Sequence, residues 1–99
     1  MLKSLNDITT AELQEVSAMA AVFFTPKQIA IALEFELDDF VNACLENGSD
    51  CYNAFEGGRL KSEYEVRKSV MQLAKAGSSP AQTMALEMIK NSIMKMMDK

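Results

Sequence analysis

Residues 25–47 read TPKQIAIALEFELDDFVNACLEN, and the way this stretch divides decides the fold. Thr25 is placed to cap a helix whose first residue is Pro26, with Gln28 reaching back from the third helical position. This is a capping box with proline where its missing N–H is not needed. Ile29, Ala30 and Leu33 then share one face. The run Glu34, Phe35, Glu36 interrupts the period, and Leu37, Phe40, Cys44 and Leu45 begin a second apolar stripe. Two short helices and a tight turn are expected, a helix-turn-helix-like pair with Phe40 buried between the first and second helices of the chain. A DNA-reading pair carries basic or amide side chains on the outer face of its second helix, where they meet phosphates and base edges. Here that face carries Asp38, Asp39, Asn42 and Glu46.

Upstream, residues 1–7 lack periodicity and are expected to be loose. Thr9 and Glu12 form a second capping box, and Ile8 and Leu13 stand at the positions of a hydrophobic staple. Leu13, Val16, Ser17, Ala20 and Phe24 continue one stripe to the break at Thr25 and Pro26, which gives a first helix able to cover the pair. Downstream, Asn47, Gly48, Ser49 and Asp50 are turn residues, with Gly48 suited to a left-handed position and Ser49 or Asp50 to a cap.

A long helix follows, in which Tyr52, Phe55, Leu60, Tyr64, Val70, Met71 and Ala74 recur near helical spacing up to a stop at Gly77. The pair Gly57 and Gly58 weakens this helix, since each glycine costs about 1 kcal/mol against alanine. A continuous helix is nevertheless expected, with the pair marking a kink or a close approach of another backbone. Ser79, Pro80 and Gln82 repeat the cap, proline and amide combination and open a last helix bearing Ala81, Met84, Ala85, Met88, Ile89 and Ile93. No alternating β-branched stretch is present, and no strand is expected.

The fold class is thus all-α: three short N-terminal helices including the helix-turn-helix-like pair, then a long helix and a C-terminal helix forming an oligomerisation hairpin. Residues 1–48 make the first unit and residues 49–99 the hairpin. Ninety-nine residues with 48% hydrophobic and 24% charged content suit a small globular domain, which gains from covering surface by self-association. The longest apolar run, Met19 to Phe24, is too short to span a bilayer, so no membrane contact is expected. Cys44 and Cys51 occur without a signal-like segment. Reduced thiols in small core positions, and a cytoplasmic location, follow as expectations.

The net charge of −4 is unevenly spread. Up to Asp50 there are nine acidic residues and two basic ones, Lys3 and Lys27; from Cys51 onward there are five acidic and eight basic. A nucleic-acid footprint would use Lys27 and the second half, where Arg59, Lys61, Arg67 and Lys68 lie on the long helix. Arg59, Glu63 and Arg67 are spaced i, i+4, i+8, and Lys61, Glu65 and Lys68 alternate one strip over. A salt-bridged solvent face is therefore the stronger reading over a phosphate-binding one.

No catalytic site is expected, because the chain has no histidine for a triad, a Cys-His pair or a histidine metal motif. Two cysteines without further ligands do not make a zinc site, and Glu34, Glu36, Asp38 and Asp39 sit in no glycine-bearing calcium loop. No cofactor is implied, and no phosphate-binding loop is present. The methionines of the last helix exceed what a narrow core stripe needs, and methionine adapts well to partner surfaces. Tyr64, Val70, Met71, Met84, Met88, Ile89 and Ile93 are the candidate oligomer interface.

The run from Phe24 to Ile89 resembles small terminase subunits of tailed bacteriophages and prophages. In that family a helix-turn-helix precedes a Tyr/Phe-containing helix with a Gly-Arg or Gly-Lys pair, a Leu-Ala-x-x-Gly ending and a further helix. The corresponding features are Tyr52 and Phe55, Gly58 and Arg59, the run Leu73, Ala74, Lys75, Ala76, Gly77, and residues 81–89. The resemblance implies a ring- or cage-forming homo-oligomer in the bacterial host cytoplasm. It would bind viral double-stranded DNA and deliver it to a separate large terminase subunit, the ATPase and nuclease. Glu34 departs from the family's turn glycine and Glu36 from its favoured cap. A helical assembly protein that retains the fold without binding DNA is the alternative.

Overall fold

A computed structural model describes residues 2–97; Met1, Asp98 and Lys99 lie outside the described residues. The described residues are helical, in the order α1 (Thr10–Ala21), α2 (Pro26–Leu33), α3 (Leu37–Leu45), α4 (Asp50–Lys75) and α5 (Ser79–Met97), with a short 3-10 turn at Leu5–Asp7. None of these helices is long and apolar enough to cross a membrane. The chain forms two compact units, Met1–Glu63 and Tyr64–Lys99, which divide within α4. The sequence suggests a division at the Gly48 turn, between residues 48 and 49. The first part of α4 instead supplies Cys51 and Phe55 to the N-terminal core.

In the first unit, Thr9 and Thr25 cap α1 and α2 through complete capping boxes with Glu12 and Gln28. Ser49 caps α4, accepting from the Tyr52 N–H at 3.0 Å while its hydroxyl donates to the Ala43 carbonyl at 2.6 Å. The core gathers Val16 and Ala20 of α1, Ile29 and Ala30 of α2, Phe35 of the turn, Phe40 and Cys44 of α3, and Cys51 and Phe55 of α4. Phe35 and Phe40 stack with ring centroids 5.5 Å apart, which fixes the α2–α3 turn from beneath. Ile8 and Leu13 are half-buried against the same core.

Three helices end in the same bond pair, in which one N–H reaches back five residues and the preceding N–H reaches back three. At α1 these bonds are Phe24 N–H to the Met19 carbonyl and Phe23 N–H to that of Ala20; at α2, Phe35 to Ala30 and Glu34 to Ile31; at α4, Ser78 to Leu73 and Gly77 to Ala74. The motif needs a left-handed residue. Gly77 meets that need without strain at φ 104°, whereas Phe23 at 68° and Glu34 at 64° do not.

Helix α4 runs unbroken through Gly57 and Gly58, as expected. Gly58 is the close approach: a β-carbon there would lie 2.1 Å from the Ser17 carbonyl oxygen, while one at Gly57 would meet nothing within 4 Å.

Several expectations are corrected. Residues 2–7 are not loose. The Lys3 N–H bonds the Glu34 carbonyl at 2.8 Å, its ammonium pairs with Glu12 at 2.6 Å, and it lies 4.9 Å from the centre of the Phe35 ring. Phe24 and Leu45, placed on core stripes by spacing, are exposed, because α1 and α3 end where those stripes would continue. Leu60 and Tyr64 are exposed as well. The cap of α5 is Ser78, whose hydroxyl accepts the Ala81 N–H at 3.3 Å, one residue before the expected Ser79.

In the second unit, Val70 of α4 packs on Ala81 and Ala85 of α5, with Met71, Ala74 and Met88 half-buried around them. The Gln82 side-chain amide donates to the Ala74 carbonyl at 3.1 Å and ties the turn.

Candidate nucleic-acid and self-association surfaces

The outer face of α3 is built as the sequence suggested: Asp38, Asp39, Asn42 and Glu46 are all exposed. The start of this helix adds a feature that spacing did not reveal. A helix N-terminus normally offers free N–H groups to an anion such as a DNA phosphate. At α3 the Glu36 carboxylate accepts the Asp38 N–H at 2.8 Å and the Asp39 N–H at 3.4 Å. The donors are taken by the chain's own carboxylate, and two more carboxylates, those of Asp38 and Asp39, follow in the first turn. This end of α3 opposes phosphate in both hydrogen bonding and charge.

The five candidate phosphate contacts fall into two groups. In the first unit, Lys27 on α2 and Lys61 on α4 are exposed. Arg59 lies between two acids, 2.7 Å from Glu56 and 3.4 Å from Glu63. The hydrogen bond to Glu56 is the main cause that raises its pKa above the ordinary value. The salt-bridged reading thus holds at Arg59, and phosphate would have to displace two carboxylates there. In the second unit, Arg67 and Lys68 are exposed, and the Lys68 ammonium sits 5.8 Å from the centre of the Tyr64 ring. Arg67 and Lys95 share a cleft of about 310 Å³ with Met88, Asn91, Ser92 and Met96.

The candidate interface residues also separate. Val70 is buried and Met71 and Met88 are half-buried within the unit's own small core. Tyr64, Met84, Ile89 and Ile93 are each about half exposed or more. Val66, Leu73, Leu86, Met94, Met96 and Met97 are exposed as well, a set that the sequence reading took up only in part. Val22 and Phe23, at the end of α1, are a further exposed pair that spacing passed over.

Cys44 and Cys51 are free thiols within the first core. Burial pushes the Cys44 thiol up to about 12, with Cys51 and Glu56 adding to it, and burial likewise raises Cys51. Neither is a ready nucleophile at neutral pH. Among the described residues no three His, Cys, Asp or Glu side chains come together as a metal site.

No protein-family model matches the chain, and neither a curated protein nor a solved structure does.

Proposed function

We propose that the chain is a DNA-packaging adaptor of the small terminase type, an oligomer that binds viral double-stranded DNA and engages a separate ATPase-nuclease subunit. The observation that carries the reading is the imbalance of the second unit. Among the described residues its buried side chains are Val70, Ala81 and Ala85, while Leu86, Ile89, Ile93 and Met96 of α5 remain about half exposed or more. Two helices joined over so small a core gain most by covering their apolar surface with other copies. The sequence resemblance supplies the link to packaging.

In this reading α3 is not the DNA-reading element. Phosphate contact falls to Lys27, Lys61 and Lys68, exposed cations on α2 and α4, joined by the exposed Arg67 once it exchanges an interaction made within the chain. Arg59 contributes only after exchanging its carboxylate partners. The adaptor performs no catalysis; hydrolysis of ATP and cutting of DNA belong to the large subunit.

A second reading, a helical assembly protein that binds no DNA, is favoured by the Glu36 carboxylate occupying the α3 N–H groups. Filter binding of the parent and of a Lys27→Ala, Lys61→Ala, Arg67→Ala, Lys68→Ala variant separates the two. The packaging reading expects retention of double-stranded DNA by the parent at low salt and its loss in the variant. Equal retention of the two proteins excludes these cations as the footprint, and no retention by either supports the assembly protein.

A further inference from the structure

Phe23 combines two features that folding does not explain. It occupies the left-handed position that closes α1, at φ 68°, where glycine or asparagine fits without strain. About half of the residue stays exposed there, Phe23 at 51% between Val22 at 66% and Phe24 at 41%. A bulky aromatic held in a costly backbone conformation and presented to solvent points to a contact outside the folded chain.

A matching surface exists on α5. Leu86, Ile89, Ile93 and Met96 follow one another at spacings of three, four and three residues, so they form one stripe along the helix, and each is about half exposed or more. Charge selects what covers it. Residues 1–63 carry eleven acidic and four basic side chains, net −7, and residues 64–99 carry three acidic and six basic, net +3. Pairing the α5 stripes of two copies sets like charge against like, whereas pairing the stripe with the N-terminal unit of another copy sets opposite charges together.

We propose that self-association is head to tail: the Val22–Phe24 knob of one copy docks on the Leu86, Ile89, Ile93, Met96 stripe of the next. The occupant of the stripe is a second copy of this chain. Such a contact uses different surfaces on the two partners, and it builds a closed ring where the rotation between copies allows and an open filament otherwise. This inference rests on the self-association in the proposed function and is independent of DNA.

The test uses the full chain and two variants, Phe23→Gly and Ile89→Glu, with mass read by native mass spectrometry and sedimentation. Phe23→Gly relieves the left-handed residue. At dilutions where the parent is dissociated it therefore melts at or above the parent temperature, so lost assembly is not lost fold. Its self-association weakens on the order of 30-fold, as for a central aromatic anchor. Phe23→Asn, which also tolerates this conformation, behaves the same way. Ile89→Glu blocks the other end. Mixed together, the two variants form a heterodimer through the one intact knob and the one intact stripe, and nothing larger.

Phe23→Gly assembling like the parent, or the mixture staying monomeric, overturns the head-to-tail contact while leaving self-association in place. A parent that is monomeric throughout overturns both.

Discussion

Gly57 and Gly58 are adjacent and identical, yet alanine at the two positions should move stability in opposite directions. Alanine in a helix interior gains about 1 kcal/mol over glycine. At Gly57 nothing lies within 4 Å of the added β-carbon, so Gly57→Ala keeps that gain. At Gly58 the β-carbon would sit 2.1 Å from the Ser17 carbonyl oxygen and 2.8 Å from both the Ser17 carbonyl carbon and hydroxyl. The first two atoms are backbone, and α1 is held on this side by Val16 and Ala20, both 0% exposed. Neither helix can yield without disturbing the core, and overpacking of this kind costs about 1–3 kcal/mol or more. With a backbone atom at 2.1 Å the cost lies at the upper end, about 3 kcal/mol, so Gly58→Ala should be a net loss of about 2 kcal/mol after the propensity gain. For a chain of this size each kcal/mol moves the melting temperature by about 4–8 °C. Circular-dichroism melts of the parent and both variants give the readout. If Gly58→Ala melts with or above the parent, α1 does not cross α4 at Ser17 and the packing of the first unit is wrong.

Phe40→Ala removes a ring at 0% exposure that stacks on Phe35, and should cost about 3–5 kcal/mol in urea unfolding; a variant as stable as the parent would mean a wrong phase for α3. Glu34→Gly relieves a left-handed residue at φ 64°, worth about 1–2 kcal/mol, less up to about 1 kcal/mol for the freer unfolded chain, so its melting temperature should rise. A fall would show that the Glu34 side chain makes a stabilising contact. The buried Cys44 thiol keeps its proton to about pH 12, while the unfolded thiol loses it from about pH 8.5. The unfolded state thus gains as pH rises through this window. The melting temperature should decline across it, and Cys44→Ala should flatten the decline; an unchanged slope in that variant would remove Cys44 as the cause.

The starts of α1 and α2 were legible because their signals are local. Thr9 with Glu12 and Thr25 with Pro26 and Gln28 each specify a start within four residues, and both capping boxes formed as read. What escaped depends on contacts between distant segments or on where a helix ends against the core. The tie of Lys3 to Glu12 and to the Glu34 carbonyl joins segments that no periodicity connects. Leu45 matched the apolar stripe of α3 but falls at its last residue, beyond the reach of the core.

The glycine pair announced a close approach without saying which glycine made it; only the position of Ser17 singles out Gly58. On the candidate surfaces, the acidic face of α3 could be read from Asp38 and Asp39 directly. The carboxylate of Glu36 folding back onto their N–H groups could not, since glutamate is not a favoured cap. Among the interface candidates, spacing could not tell Val70, which the chain buries itself, from Ile93, which it leaves open.

The salt dependence of binding to double-stranded DNA tests the proposed function most directly, with the parent measured beside the Asp38→Lys, Asp39→Lys double variant. Displaced counterions make the logarithm of affinity fall with the logarithm of salt at a slope of about −0.9 per phosphate contacted. Lys27, Lys61, Arg67 and Lys68 should give the parent a slope on the order of −2 to −4 with weak affinity. Both aspartates are exposed and lie off the Phe40–Cys44 side of α3, so the double variant should keep its assembly size while binding more tightly and with a steeper slope. A parent that is not retained on DNA at low salt, or whose retention is indifferent to salt, contradicts the packaging adaptor.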